Sequence, residues 1–130
     1  MISGDTGPSK MVETVAKGAD LLVHEALQPE MVKALAARLK AAGRPQTAQI
    51  MHDILDYHAS PAQAAASAQI AGVKMLVLSH IVPPYPMRYL DGAFLGDASG
   101  KFDGPIVVGE DGDSYSLPAG GTDITRGNWF

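Results

Sequence analysis

The chain has 130 residues, a formal charge of -4, 46% hydrophobic residues and no cysteine. That length suits one domain with a real core, and the absent thiols rule out disulfides and thiolate metal sites, leaving His, Asp and Glu as possible ligands. The acidic balance, with no clustered Lys or Arg, argues against a free-standing nucleic-acid binder, and no apolar run approaches membrane-spanning length. No targeting signal stands in these residues, so the chain is expected to be soluble and cytoplasmic.

In chain order, Met1-Ile2-Ser3 reads as the end of a strand, and Gly4-Asp5-Thr6-Gly7 turns the chain. Pro8 then opens a helix running to about Lys17, with Met11, Val12 and Val15 as its apolar stripe and Gly18 as its stop. The strand Leu21-Leu22-Val23 follows and ends on His24. Pro29 starts a second helix with Met31, Val32, Leu35 and Leu39 on one face, and Gly43 ends it. Thr47 caps a shorter helix that buries Ala48, Met51, Ile54 and Leu55.

Ser60, Pro61 and Gln63 form the clearest helix start, a capping box with proline in the first turn, opening an Ala-rich helix that stops at Gly72. The unbroken apolar run Met75-Leu76-Val77-Leu78 reads as a strand covered on both faces, with His80 at its carboxyl end. In open α/β sheets that end is where ligands bind. Ile81 to Pro86 is an irregular loop by proline count, with a short turn or helix near Met87 to Phe94. Pro105 to Val108 and Ser114 to Leu117, flanking Gly109-Glu110-Asp111-Gly112, predict a hairpin, followed by a Gly-rich tail over 118–130. The class is α/β.

Three strand ends thus deliver Asp5, His24 with Glu25, and His80. Carboxylate and imidazole together suit zinc, manganese or iron, and a carboxylate can bridge two ions. Plainer roles exist for each. A strand-end histidine is commonly a hydrogen-bonded structural residue, Asp5 could simply bond amides of its own turn, and His58 could be a polar residue ahead of a helix cap. Glu25 stands out because a carboxylate at a buried strand end needs a partner, and a histidine held by a carboxylate is a better proton donor or ligand. A Walker loop at Gly4 to Lys10 is rejected, since the Gly-Lys-Ser/Thr run is missing.

Four blocks, Ile2-Ser3-Gly4-Asp5-Thr6-Gly7, Ala19 to Ala26, His58-Ala59-Ser60 and Leu78-Ser79-His80, resemble in order and spacing the second half of the metallo-β-lactamase superfamily. The resemblance covers roughly Met1 to Leu117 and is strongest to ribonuclease Z and arylsulfatase-type hydrolases, whose His-Glu-Ala-Thr and His-Ser-Thr signatures stand here as His24-Glu25-Ala26-Leu27 and His58-Ala59-Ser60. It implies the C-terminal half of an αββα sandwich over 1–117, with a mixed sheet, helices on one face and a C-terminal hairpin. It also implies that Asp5 bridges two metal ions, zinc or else manganese or iron, and that His80 ligates one of them. His58 would protonate a leaving group or steady the transition state, with Glu25 orienting it.

The chain departs from the family in lacking a His-x-His-x-Asp-His run, and one carboxylate with one imidazole falls short of the three or more protein ligands of a tight catalytic zinc site. The expectation is half of a dinuclear hydrolase, inactive without the remainder. Leu27 in place of threonine, Ile81-Val82-Pro83-Pro84 after His80, and the acidic charge point to a small phosphodiester or sulfate ester rather than RNA as substrate. Alternatives are a non-catalytic interaction module, and a pair of copies assembling a metal site from Asp5 and His80. With Leu21 to Val23 and Met75 to Leu78 partly uncovered, association with the missing half or a second copy is expected.

Overall fold

The computed structural model describes residues 1–85 and 88–129. A three-stranded sheet runs in the order β1-β2-β3, with β1 at Leu21–Leu27, β2 at Met75–Val82 and β3 at Ile106–Val108. Both pairings are parallel. The expected mixed sheet is therefore corrected to a parallel one, because each strand returns through helical crossovers rather than a tight turn. Met1 to Ser3 extends it beyond β1: Val23 N–H donates to the Met1 carbonyl and Ser3 N–H to the Val23 carbonyl, each at 2.9 Å.

The helices form where their start signals stand. Helix α1 (Lys10–Val15) is capped by Ser9, which accepts from the Met11 N–H, rather than opened by Pro8. Its expected stripe is corrected as well: Val12 and Ala16 are buried whereas Met11 and Val15 face outward, since so short a helix presents only its i, i+4 pair to the core beside the Ala-rich helix that follows Ser60. Helix α2 (Pro29–Ala41) starts at its proline and buries Val32 and Ala36. Helix α3 spans Pro45–Asp53, so Thr47 lies inside the first turn instead of capping it; Pro45, with φ preset for a helix, starts it two residues earlier. Helix α4 (Pro61–Ala71) carries the full capping box of Ser60 and Gln63 and ends on Gly72 at φ 68°.

The core joins Val12 and Ala16 to Leu22, Ala26, Leu76 and Leu78 of the sheet, Ala64, Ala65, Ala68 and Ala71 of α4, and Phe94 of α5 (Asp91–Leu95). Even-numbered strand residues face this layer, as the period of two requires. The alanines leave little between α4 and the sheet, which seats the start of α4 close to the ends of β1 and β2. Leu76, Val77 and Leu78 are all buried, in keeping with a strand covered on both faces.

Two further expectations change. Strand β3 does not pair with the next strand: β4 (Asp113–Ser116) pairs antiparallel with β5 (Thr125–Asn128), which lies in the segment expected to be a tail. The reason is that β3 uses an edge to complete the buried parallel sheet, so the Glu110 to Gly112 turn leads β4 away to another partner. His80, in turn, does not end its strand, because β2 continues to Val82. Past Pro83 to Tyr85 the chain forms a single 3-10 turn at Arg88–Leu90 and then α5; Pro86 and Met87, part of the predicted loop and turn, lie outside the described residues.

Candidate active site

Glu25 occupies β1 and is 1% exposed. Its Oε1 accepts the Ala59 N–H at 2.6 Å and its Oε2 lies 3.1 Å from His58 Nδ1. The buried carboxylate is thereby satisfied by the segment just ahead of α4, and Leu27 N–H donates to the Ala59 carbonyl at 2.8 Å to close the same contact. Because a carboxylate accepts, Nδ1 of His58 carries the hydrogen and Nε2 is left for chemistry.

His80 stands beside this pair. In the parallel ladder Ser79 faces Glu25 and Ile81 faces Ala26, so His80 is an extra residue bulged out of β2, at φ 46°. A non-glycine residue in the left-handed region is uncommon, and such residues gather at functional sites. The bulge turns the imidazole to Asp5, whose Oδ1 lies 2.7 Å from His80 Nδ1. Asp5 reaches that point because Ser3 is tied to Val23 and Gly4, at φ 70°, then turns the chain. The rings of His58 and His80 lie 5.5 Å apart, and the Tyr57 ring lies 5.1 Å from that of His58.

The four residues singled out in the sequence therefore meet in one row, Glu25 to His58 to His80 to Asp5, running from buried to open. The side chains of Glu25 and His58 are 1% and 8% exposed, those of His80 and Asp5 50% and 62%. Among the described residues no group of three or more potential metal ligands comes together. Asp5 and His80 fit two positions of a divalent-ion site in donor chemistry and in their open placement, and a third ligand would have to come from another segment.

His24 has a different role from its neighbour. Strand β1 runs past it to Leu27, and its ring lies fully buried in mid-strand. Nδ1 meets the Glu25 carbonyl at 2.8 Å and Nε2 has no protein partner among the described residues. His52 lies exposed on α3, away from the row.

Next to His80 opens a cleft of about 680 Å³, walled by Ile81, Tyr85, Arg88, Asp91 and Glu110 among others. Burial, together with a hydrogen bond from its hydroxyl to Asp91 at 2.9 Å, holds the Tyr85 phenol well above its ordinary range. Neither this wall nor the Tyr57 ring is among the residues expected from the sequence. Tyr57 was accessible from its adjacency to His58, whereas nothing in the spacing announces that Arg88 and Glu110 meet.

No protein-family model matches the chain. It is 36% identical over 112 residues to ribonuclease Z of Mycolicibacterium gilvum, covering 85% of this chain and 35% of that protein. Ribonuclease Z of Mycobacterium tuberculosis is likewise 36% identical over 111 residues, covering 85% of this chain and 36% of the relative. The chain thus spans little more than a third of the length of these curated relatives. Among solved structures, the metallo-β-lactamase fold protein YhfI from Bacillus subtilis superposes with a TM-score of 0.56 at 17% identity, covering 97% of this chain and 39% of that one. Both relatives are named as ribonucleases. No helix among the described residues is long and apolar enough to cross a membrane.

Proposed function

The chain belongs to the metallo-β-lactamase superfamily and is ribonuclease Z-like, and from that premise we propose that it supplies the proton-transfer pair and two metal ligands of a hydrolase that cleaves RNA phosphodiesters. The observation that carries this reading is the continuous row of contacts from Glu25 through His58 and His80 to Asp5. RNA replaces the small phosphodiester or sulfate ester favoured by the sequence alone, because the relatives are ribonucleases. Acidic charge over part of a protein is weak ground for excluding a polyanion.

Asp5 and His80 are the residues that would hold a divalent ion, which when bound supplies Lewis acidity at phosphorus and positive charge against the developing negative charge. This chain's own residues do the rest. Glu25 fixes the His58 ring and its tautomer by accepting from Nδ1. As the doubly protonated imidazolium, His58 gives its Nε2 proton to the departing oxygen and is left as the neutral Nδ1–H tautomer that Glu25 holds, so the ester bond breaks without releasing an unprotonated alkoxide. The Tyr57 ring lies beside that of His58.

Two donors cannot hold a catalytic ion tightly, so further ligands come from a segment of the same polypeptide or of another. A place for that segment exists at the edge of the sheet. Ile2, which pairs with Val23 on the outer side of β1, is 72% exposed. We assign this edge to the complementing segment; a second copy of the chain is the other occupant that light scattering would reveal.

The test uses a short RNA with a 3′ extension and bis(p-nitrophenyl) phosphate, with zinc or manganese. The chain is assayed alone and mixed with the part of the M. gilvum relative outside the matched region. Cleavage in the mixture that vanishes with His58→Ala is the expected result. No cleavage of either substrate, or cleavage indifferent to His58, overturns the reading.

A further inference from the structure

The cleft beside His80 carries a charge arrangement that the row of four residues does not use. Gly109 sits so close under β2 that a Cβ there would lie 2.9 Å from the Leu78 carbonyl oxygen, and its own N–H donates to that oxygen at 2.8 Å. This close approach delivers Glu110 and Asp111 from the end of β3 into the cleft that His80 borders. Opposite them, Arg88 enters from the 3-10 turn ahead of α5, and its guanidinium pairs with the Glu110 carboxylate. Among the described lining residues Arg88 alone carries a permanent positive charge, against the carboxylates of Asp91, Glu110 and Asp111.

Asp91 is already engaged by the Tyr85 hydroxyl. Glu110 is held from its backbone side, where its N–H donates to Asp113 Oδ2 at 3.0 Å. The carboxylate that occupies Arg88 is thus on a tethered turn, whereas the guanidinium is on a long and half-exposed side chain, 62% accessible. An anion entering the cleft meets a cation that is present but taken.

We infer that Arg88 is the phosphate-recognising residue of the substrate cleft and that Glu110 is its built-in competitor, so that the cleft accepts a nucleotide phosphate only by exchanging it for the Glu110 carboxylate. The guanidinium fork suits either partner, since carboxylate and phosphate both accept two parallel N–H bonds. The exchange makes recognition selective. A neutral ligand gains nothing by breaking the pair, while a phosphodiester, charged as a carboxylate is, can take the guanidinium in its place, and a terminal phosphomonoester with its greater charge does so more readily. This inference rests on reading the Asp5–His80 edge as the reaction centre, which makes the adjoining cleft the substrate's path.

The experiment needs neither metal nor turnover, so its outcome is separate from that of the hydrolase assay. Adenosine 5′-monophosphate and adenosine are titrated into the chain while the backbone amide signals of Gly109 and Asp111 are followed by NMR. Adenosine 5′-monophosphate is expected to bind about fivefold more tightly to Glu110→Gln than to the parent, the scale of one exposed ion pair. Arg88→Gln is expected to bind it no better than adenosine. Both side chains are half-exposed, so neither variant threatens the fold, and an unchanged amide spectrum away from the cleft verifies this. Equal affinity of the parent and both variants, or equal affinity of the parent for the nucleotide and the nucleoside, overturns the inference.

Discussion

Glu25 and His58 lie 33 residues apart and meet at 3.1 Å, with the same carboxylate also accepting the N–H of Ala59. One side chain therefore both holds the His58 ring and pins the segment that leads into α4. Its removal should be felt in stability and in chemistry together. Glu25→Ala leaves the buried Ala59 N–H unpaired and is expected to cost about 1–3 kcal/mol in urea denaturation. Glu25→Gln can keep the Ala59 bond and is expected to cost less, while lowering the rate of the complemented hydrolase about a hundredfold. If the alanine variant melted like the parent, the pinning role would be lost.

At His80 the backbone makes a separate prediction. A residue at φ 46° pays a left-handed penalty that glycine escapes. His80→Gly is therefore expected to be more stable than His80→Ala by about 1 kcal/mol. Both should lose any zinc affinity that the parent shows in a competition assay with a chromogenic chelator. An alanine variant at least as stable as the glycine one would contradict the bulge.

The β4–β5 hairpin responds to acid. Burial opposes ionisation of Asp113, but hydrogen bonds from Arg126, the Glu110 backbone and Asn128 outweigh it and hold the carboxyl below its ordinary value. A depressed folded pKa means the stabilisation is full above the unfolded value of about 3.9 and is lost as pH falls through the lower folded value. Hydrogen exchange at the Trp129 amide, which bonds the Gly112 carbonyl at 3.0 Å, should report the loosening. After correction for intrinsic exchange, the parent's protection should fall on acidification below that value. Asp113→Asn should show no such fall; the same acid transition in both would assign it elsewhere.

The capping box transmits to the site. Ser60 accepts the Gln63 N–H and Gln63 in turn accepts the Ser60 N–H, two residues after His58. Ser60→Ala is expected to cost about 1 kcal/mol and to shift the His58 ring resonances through fraying of the first turn. Unmoved His58 signals alongside a lowered melting temperature would separate the cap from the site.

Much of this arrangement was legible in the residues. The helix starts at Pro29 and Ser60 depend on local chemistry that one stretch of chain contains, and the four site residues were accessible because their motifs sit at turns and strands. The β3–β4 hairpin failed for the opposite reason. A turn signal such as Gly109 to Gly112 states that the chain reverses, but which strand then pairs depends on an edge 30 residues away in sequence, at Leu76 to Leu78. Likewise nothing local distinguishes a strand that stops at His80 from one that bulges there and continues to Val82.

That bulge has a consequence for how the site could be lost. Removing residue 80 would leave Ser79 opposite Glu25 and Ile81 opposite Ala26 with no interruption between them. The shortened strand would be the more regular one. A variant lacking residue 80 should therefore fold at least as readily as the parent, so on the proposed reading the extra residue is kept for what its side chain does and not for the strand it interrupts.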